Sequence, residues 1–234
     1  MAKDSRMQLR YESTFDRLGM TGYRYGVLLV VILTSLVFQL AAPEADWSRL
    51  VTIVLQGIVL LMALVASRAH PYILRIGFAA VCIAIIGSAA ALIGFGELGP
   101  TAGRGVTVLM VALAPASIAR GVIVDVQKNG VSLHTMFGVL CIYLLIGSLF
   151  AFAYGIVGGL DSNSFFMQHA AENTKNYLYF SFVTITTVGY GDLTAASNLG
   201  RSLAIAEALT GQIYLVTVVA AIVGGLGRRS AERG

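Results

Sequence analysis

Residues 184–192 read Thr-Ile-Thr-Thr-Val-Gly-Tyr-Gly-Asp, and the alternation at their centre, Thr187-Val188-Gly189-Tyr190-Gly191, is an instruction to the backbone. An extended chain turns successive carbonyls to opposite sides. Aiming them all one way drives alternate residues toward positive φ, which glycine tolerates and bulky residues resist. Gly189 and Gly191 stand two apart, as that geometry requires. A row of carbonyl oxygens along one axis can replace the water shell of a cation. Val188 and Tyr190 would then face away from the row into surrounding protein, and the Thr187 hydroxyl would join its innermost layer.

The run before it, Asn176 to Thr186 (NYLYFSFVTIT), is apolar and about three helical turns long. A bilayer needs roughly 20 helical residues, so this run fits a re-entrant helix that enters and leaves by one face. Its C-terminal end directs the negative pole of its dipole toward a cavity below residues 187–191, where a partly hydrated cation can rest.

On these residues the segment resembles the pore loops of the tetrameric potassium-channel superfamily. The resemblance implies that Thr187, Val188, Gly189, Tyr190 and Gly191 are the selectivity filter, with K+ held at Thr187, Val188, Gly189 and Tyr190. Tyr179 and Phe180 occupy the place of an aromatic pair that props the filter, and Thr184, Thr186 and Thr187 match the family's threonines. It implies no cofactor beyond the K+ ions. One filter strand encloses nothing, so a homotetramer with fourfold symmetry is expected, with lipids and permeant K+ as the other partners and no nucleic acid. Two positions depart from the pattern. Val183 stands where some bacterial members place a glutamate that pairs with the aspartate after the filter, so Asp192 is expected to lack that partner, and Ala195 replaces a common proline.

Composition supports an all-α integral membrane protein: of 234 residues, 57% are hydrophobic and only 12% charged. Mean hydropathy is +0.80. Six long apolar segments are legible, about Gly26–Ala42, Leu50–Ala66, Ile73–Phe95, Val106–Val126, Met136–Val157 and Leu199–Leu226, with the short pore helix between the last two. The chain divides into a cytoplasmic segment (1–24), a four-helix voltage-sensor-like domain (25–130), a pore domain (131–227) and a tail (228–234). Pro43, Pro71 and Pro100 fall in connections, whereas Pro115 should kink the fourth segment. Cys82 and Cys141 lie in separate apolar runs and read as core packing, with no disulfide framework or metal cluster.

Placing both termini in the cytoplasm puts eleven Lys and Arg residues inside and four (Arg49, Arg104, Lys175, Arg201) outside, with Arg120 set aside as intramembrane. That asymmetry obeys the positive-inside rule and puts the filter at the outer mouth of a plasma-membrane protein. The first two dozen residues have no cleavable apolar stretch. Met7, Tyr11, Phe15 and Leu18 recur at helical spacing among arginines, which reads as an amphipathic helix on the inner leaflet.

The four helices before the pore are not a working voltage sensor on their face. A sensor needs a ladder of arginines, each contributing about 2.3 kcal/mol per 100 mV. The register through Arg120 is Val111, Ala114, Ser117, Arg120, Ile123, so one charge remains, and weak or absent voltage dependence is expected. Gly94-Phe95-Gly96-Glu97-Leu98 echoes Gly189-Tyr190-Gly191-Asp192-Leu193, but no threonines precede it, and it reads as an outer turn.

Leu199–Leu226 should line the cavity as one helix about 42 Å long. Gly211, near its middle, is either a gate hinge or a point of close packing. Gly224 and Gly225 read as a point where the helices converge at the inner mouth or as helix termination. Glu207 is the acidic residue within this helix, and an ionisable group at membrane depth invites a functional reading. It is expected to support the filter through a pore-helix hydroxyl such as Thr184 or Ser181, or else to attract cations or sense protons. Seven residues follow Gly227, too few for a soluble regulatory domain, so gating is expected from the membrane part, lipids, tension, the filter or a separate partner. Gly158–Lys175 reads as a polar turret in which His169 is an exposed solvated histidine. No enzyme is expected. The reading is a six-helix potassium-selective channel, with a weakly selective cation channel and a regulatory or assembly subunit as alternatives.

Overall fold

The computed structural model describes residues 24–43, 45–67, 70–92, 113–127, 130–160 and 164–231. Helix α1 spans Arg24–Ala41, α2 Asp46–Ala66, α3 Pro71–Leu92 and α4 residues 113–127. These are followed by α5, Leu133–Leu160, and a short α6, Thr174–Ile185. The last helical stretch is continuous: α7 Asn198–Ile213, a π-helical turn Tyr214–Val219, and α8 Ala220–Ala231. The expected amphipathic helix before residue 24, the Gly94-Phe95-Gly96 echo and most of the run leading to Pro115 lie outside the described residues.

Apolar sequence on every side makes these helices, and small residues decide how they meet. Along α1, Tyr25, Leu28, Ile32, Ser35, Leu36 and Gln39 are buried in one stripe, yet Val30, Leu33 and Val37 on other faces are apolar and exposed. A helix apolar all round is suited to hydrocarbon on one side and protein on the other. Arg24–Ala41, Leu133–Leu160 and Asn198–Gly225 are long and apolar enough to cross a membrane, while Leu50–Ala66 and Tyr72–Gly87 are shorter apolar helices. The chain is a multi-pass membrane protein.

Helices α2 and α3 approach through glycine. A Cβ on Gly57 would lie 2.7 Å from Val81 Cγ1, and one on Gly77 would lie 2.5 Å from Leu64 Cδ1. Pro71 begins α3 and does not sit in the connection before it; the first helical residue has no intrahelical use for an N–H, so proline fits there. Gly138 of α5 lets α1 and α4 close in: an added Cβ would meet Val122 Cγ2 at 2.6 Å and Tyr25 Cδ2 at 3.2 Å. Cys141 is buried, with its Sγ 3.5 Å from the Tyr25 carbonyl, and Cys82 is half-buried, both as free thiols.

The inner helix differs from expectation at its lower end. It runs through Gly224 and Gly225 to Ala231, and Gly225 is where the helix passes Val131, whose Cγ2 would be 2.8 Å from an added Cβ. Close passage, not termination, explains that glycine.

Candidate functional site

Helix α6 starts where Asn173 caps it: the Asn173 side chain accepts from the Asn176 N–H at 2.8 Å. Above it, the outer segment folds onto the helix. Glu172 accepts from the Phe165 N–H at 2.6 Å and from the Tyr177 hydroxyl at 3.0 Å. Phe166 pairs with Ala195 in an isolated antiparallel bridge, and Gln168 exchanges two hydrogen bonds with Thr194. Phe165 and Phe166 are buried against Tyr177 and Phe180, with Phe165 also against Tyr154, at ring-centroid separations of 5.4–6.0 Å. The segment expected as a polar turret is thus anchored by two buried aromatics, while His169 is exposed, at φ 51°.

The carbonyls of the last turn of α6, Phe182 to Ile185, are each taken up. Phe182 O accepts from the Thr186 N–H at 3.2 Å and from the Thr186 hydroxyl at 2.5 Å. Val183 O accepts from the N–H groups of Val188 (3.0 Å) and Gly189 (3.3 Å), and Thr184 O from Thr187 N–H at 2.9 Å. Ile185 O accepts from the Tyr143 hydroxyl of α5 at 3.1 Å. These bonds stop the helix and launch the chain into an extended run.

That run has the alternation the glycines announce. Thr187, Gly189 and Gly191 have φ of 58°, 58° and 80°, one every second residue. Thr187 is a β-branched residue in the left-handed region, a conformation that must be held by its surroundings. Val188 and Tyr190, the residues between, meet little of their own chain, being 51% and 72% exposed. A Cβ on Gly189 or Gly191 would touch nothing within 4 Å, so the backbone's sign of φ, not crowding, explains both glycines.

Of the expected support residues, Tyr179 and Asp192 come together: the Tyr179 hydroxyl donates to Asp192 Oδ2 at 2.7 Å. The phenol is pushed up from 10.0 to about 12, first by that hydrogen bond. Asp192 therefore has a partner, though not at position 183. Phe180 is buried in the aromatic cluster, and Thr184 is half-buried in the last turn of α6. Glu207 is fully buried and reaches Ser181, not Thr184: the Ser181 Oγ is 2.5 Å from Glu207 Oε1 and 2.6 Å from Gly147 O. The Tyr154 hydroxyl lies 2.5 Å from Oε2. Gly211 is packed hard, since an added Cβ would lie 2.6 Å from Ile185 Cγ1 and 2.7 Å from Ile185 O.

Sequence reasoning misses Tyr143, Tyr154 and Tyr214. Tyr154 is buried and Tyr143 and Tyr214 half-buried, and each hydroxyl finds a partner across a helix interface, Tyr214 at the Val139 carbonyl (2.7 Å). Tyrosines inside otherwise apolar runs are the signal that finds them.

Comparison with known proteins points the same way. Residues 138–226 match the family described as "Ion channel". A "Voltage-gated potassium channel" of Aeropyrum pernix is 34% identical over 89 residues, covering 38% of this chain. The chain matches only 28% of the length of that relative. No solved structure matches. A short helix ending in satisfied carbonyls, an extended run alternating through positive φ, and these two matches converge on one segment: residues 138–226 are similar to the ion-channel family, and the 89 residues aligned with the relative are similar to a potassium channel.

Proposed function

We propose that the chain forms a K+-selective channel that carries ions passively through an axis lined by residues 187–191. The observation that carries this reading is the alternation of positive φ at Thr187, Gly189 and Gly191 within a Thr-Val-Gly-Tyr-Gly sequence. It turns backbone carbonyls, the ligands that suit a K+ ion, toward one axis. The ions sit at Thr187, Val188, Gly189 and Tyr190, braced by Tyr179, Phe180, Thr184, Thr186, Asp192 and Glu207.

Four copies surround the axis. A homotetramer accounts for the exposure of Val188 and Tyr190, and for an inner helix whose apolar window is only 11% buried within one chain against 44% for α5. Each subunit has six spanning helices plus α6, with both termini cytoplasmic in the plasma membrane. Voltage dependence is weak or absent, because α4 carries Arg120 alone in the register where a ladder would stand.

Reconstituted homomer in liposomes, with reversal potentials measured in K+/Na+ gradients, tests this. A strong K+ preference that vanishes in Gly189→Ala is expected. Comparable Na+ and K+ permeability would make the chain a weakly selective cation channel, and no current from well-folded homomer would make it a regulatory subunit. A conductance rising steeply over voltage and losing that steepness in Arg120→Gln would refute the voltage-insensitive part.

A further inference from the structure

Three oxygen pairs around Glu207 are close enough that each needs a hydrogen between its atoms. They are Tyr154 Oη with Glu207 Oε2 at 2.5 Å, Glu207 Oε1 with Ser181 Oγ at 2.5 Å, and Ser181 Oγ with Gly147 O at 2.6 Å. Without the hydrogen, such a pair sets lone pair against lone pair. Gly147 O can only accept, so the hydrogen in the last pair belongs to Ser181, and a serine hydroxyl has one. Tyr154 also has one, and it lies toward Oε2. The hydrogen between Oε1 and Ser181 has one remaining source, the carboxyl group itself.

We propose that Glu207 is held as a neutral carboxylic acid, donating to Ser181 and accepting from Tyr154. The hydrogen bonds then run in one direction, from Tyr154 of α5 through Glu207 of α7 to Ser181 of α6, and back to Gly147 of α5.

The surroundings agree. Glu207 is fully buried, and among the described residues no Lys, Arg or His pairs with it. A carboxylate at membrane depth with no cation beside it is costly. The titratable groups facing it are Tyr154 and Tyr143, both on α5, and neither carries positive charge. From α6 it is faced by Ser181, and along α7 no titratable side chain is bonded to it.

Glu207 is thereby a positioning residue for the ion path, an assignment that rests on reading residues 187–191 as that path. Ser181 sits six residues ahead of Thr187, so the chain of bonds fixes how α6 is rotated beneath the extended run. Loss of the carboxyl proton sets Oε1 competing with Gly147 O for the single Ser181 hydrogen, and one of the two links breaks.

Infrared difference spectra of the purified protein at neutral pH, wild type minus Glu207→Gln, read the protonation state directly. A protonated-carboxyl C=O band is expected; carboxylate bands in its place overturn the proposal. Flux in liposomes gives a second readout. Glutamine can donate to Ser181 and accept from Tyr154, so Glu207→Gln rescues the flux that Glu207→Ala loses; glutamine behaving as alanine does overturns the proposal. Flux should fall on alkalinisation in wild type and not in Glu207→Gln, and identical pH profiles count against it. If Glu207→Gln does not assemble, Ser181→Ala replaces it: the wild-type carboxyl band moves to higher frequency on losing its acceptor, and an unmoved band defeats the idea. A carboxyl band from protein that carries no K+ leaves the protonation state standing and sinks the channel reading instead.

Discussion

Tyr179 and Asp192 are tied by a 2.7 Å hydrogen bond that links the middle of α6 to the residue just past the extended run. The bond closes a loop whose other end is the set of carbonyl contacts at Phe182, Val183, Thr184 and Ile185. Between the two ties, residues 187–191 have no sheet to hold them. The outer tie is thus the contact that holds the chain just beyond the run.

Tyr179→Phe removes that tie and keeps the ring. The expected result is a protein that assembles as wild type does but whose K+ current decays faster under sustained driving force; unchanged decay would show that the tie is not needed. The neutral phenol is the donor, and its value is raised above that of the free side chain. Its contribution is therefore present below pH 10.0 and is lost as pH rises through about 12. Difference ultraviolet titration of wild type against Tyr179→Phe reads the late-ionising tyrosine, and current decay should be flat across the neutral range.

Gly189→Ala places a Cβ at φ 58°, and Gly191→Ala one at φ 80°, each at a cost of about 1–2 kcal/mol of backbone energy. Nothing near either position would clash with the new methyl. The strain therefore acts on the backbone, by turning carbonyls out of line. K+ flux should be lost in both variants while the oligomer on a sizing column is unchanged; a variant that conducts normally would mean that the alternation is not the ion path.

The extended run was legible because its chemistry resides in the backbone, and glycine spacing reports backbone conformation directly. The reach of Glu207 to a pore-helix hydroxyl was legible too, since a lone carboxyl in an apolar helix must find a partner. Which partner it finds was not, because Ser181 and Thr184 lie one turn apart and only the rotation of α6 separates them. The Tyr179–Asp192 tie was hidden for a related reason: Val183 marks the absence of one brace, and sequence spacing alone does not show that a phenol four residues earlier reaches the same carboxylate. Apolar periodicity also cannot reveal a π-helical turn. Tyr214–Val219 reads like any membrane helix, and nothing in its residues marks the widened turn, at whose start the Tyr214 hydroxyl reaches the Val139 carbonyl.

Gly211→Ala separates packing from hinge. The methyl would press on the Ile185 side chain and on its carbonyl, the same carbonyl that accepts from Tyr143. Backbone yields less readily than a side-chain tip, so overpacking of about 1–3 kcal/mol per subunit is expected, seen as a lower melting temperature of the detergent-solubilised protein. If stability is unchanged and only the open fraction of the current moves, Gly211 is a hinge and the contact with Ile185 is incidental. Bending then falls to the π-helical turn in the first case and to Gly211 in the second.

Phe165→Ala tests the anchoring of the outer segment. Phe165 is 2% exposed and packs edge-to-face against Phe166, Tyr177 and Phe180 and at a tilt against Tyr154. Truncating a buried phenylalanine costs about 3–5 kcal/mol, and here the cavity opens beside Tyr154, one of the two partners of Glu207. The loss should therefore appear twice: as faster protease cleavage between residues 164 and 173, and as reduced flux through a loosened Tyr154–Glu207–Ser181 chain. Faster cleavage with wild-type flux would show that the outer segment is anchored independently of the pore helix, and wild-type resistance to cleavage would show that Phe166 and the bridge to Ala195 hold the segment alone.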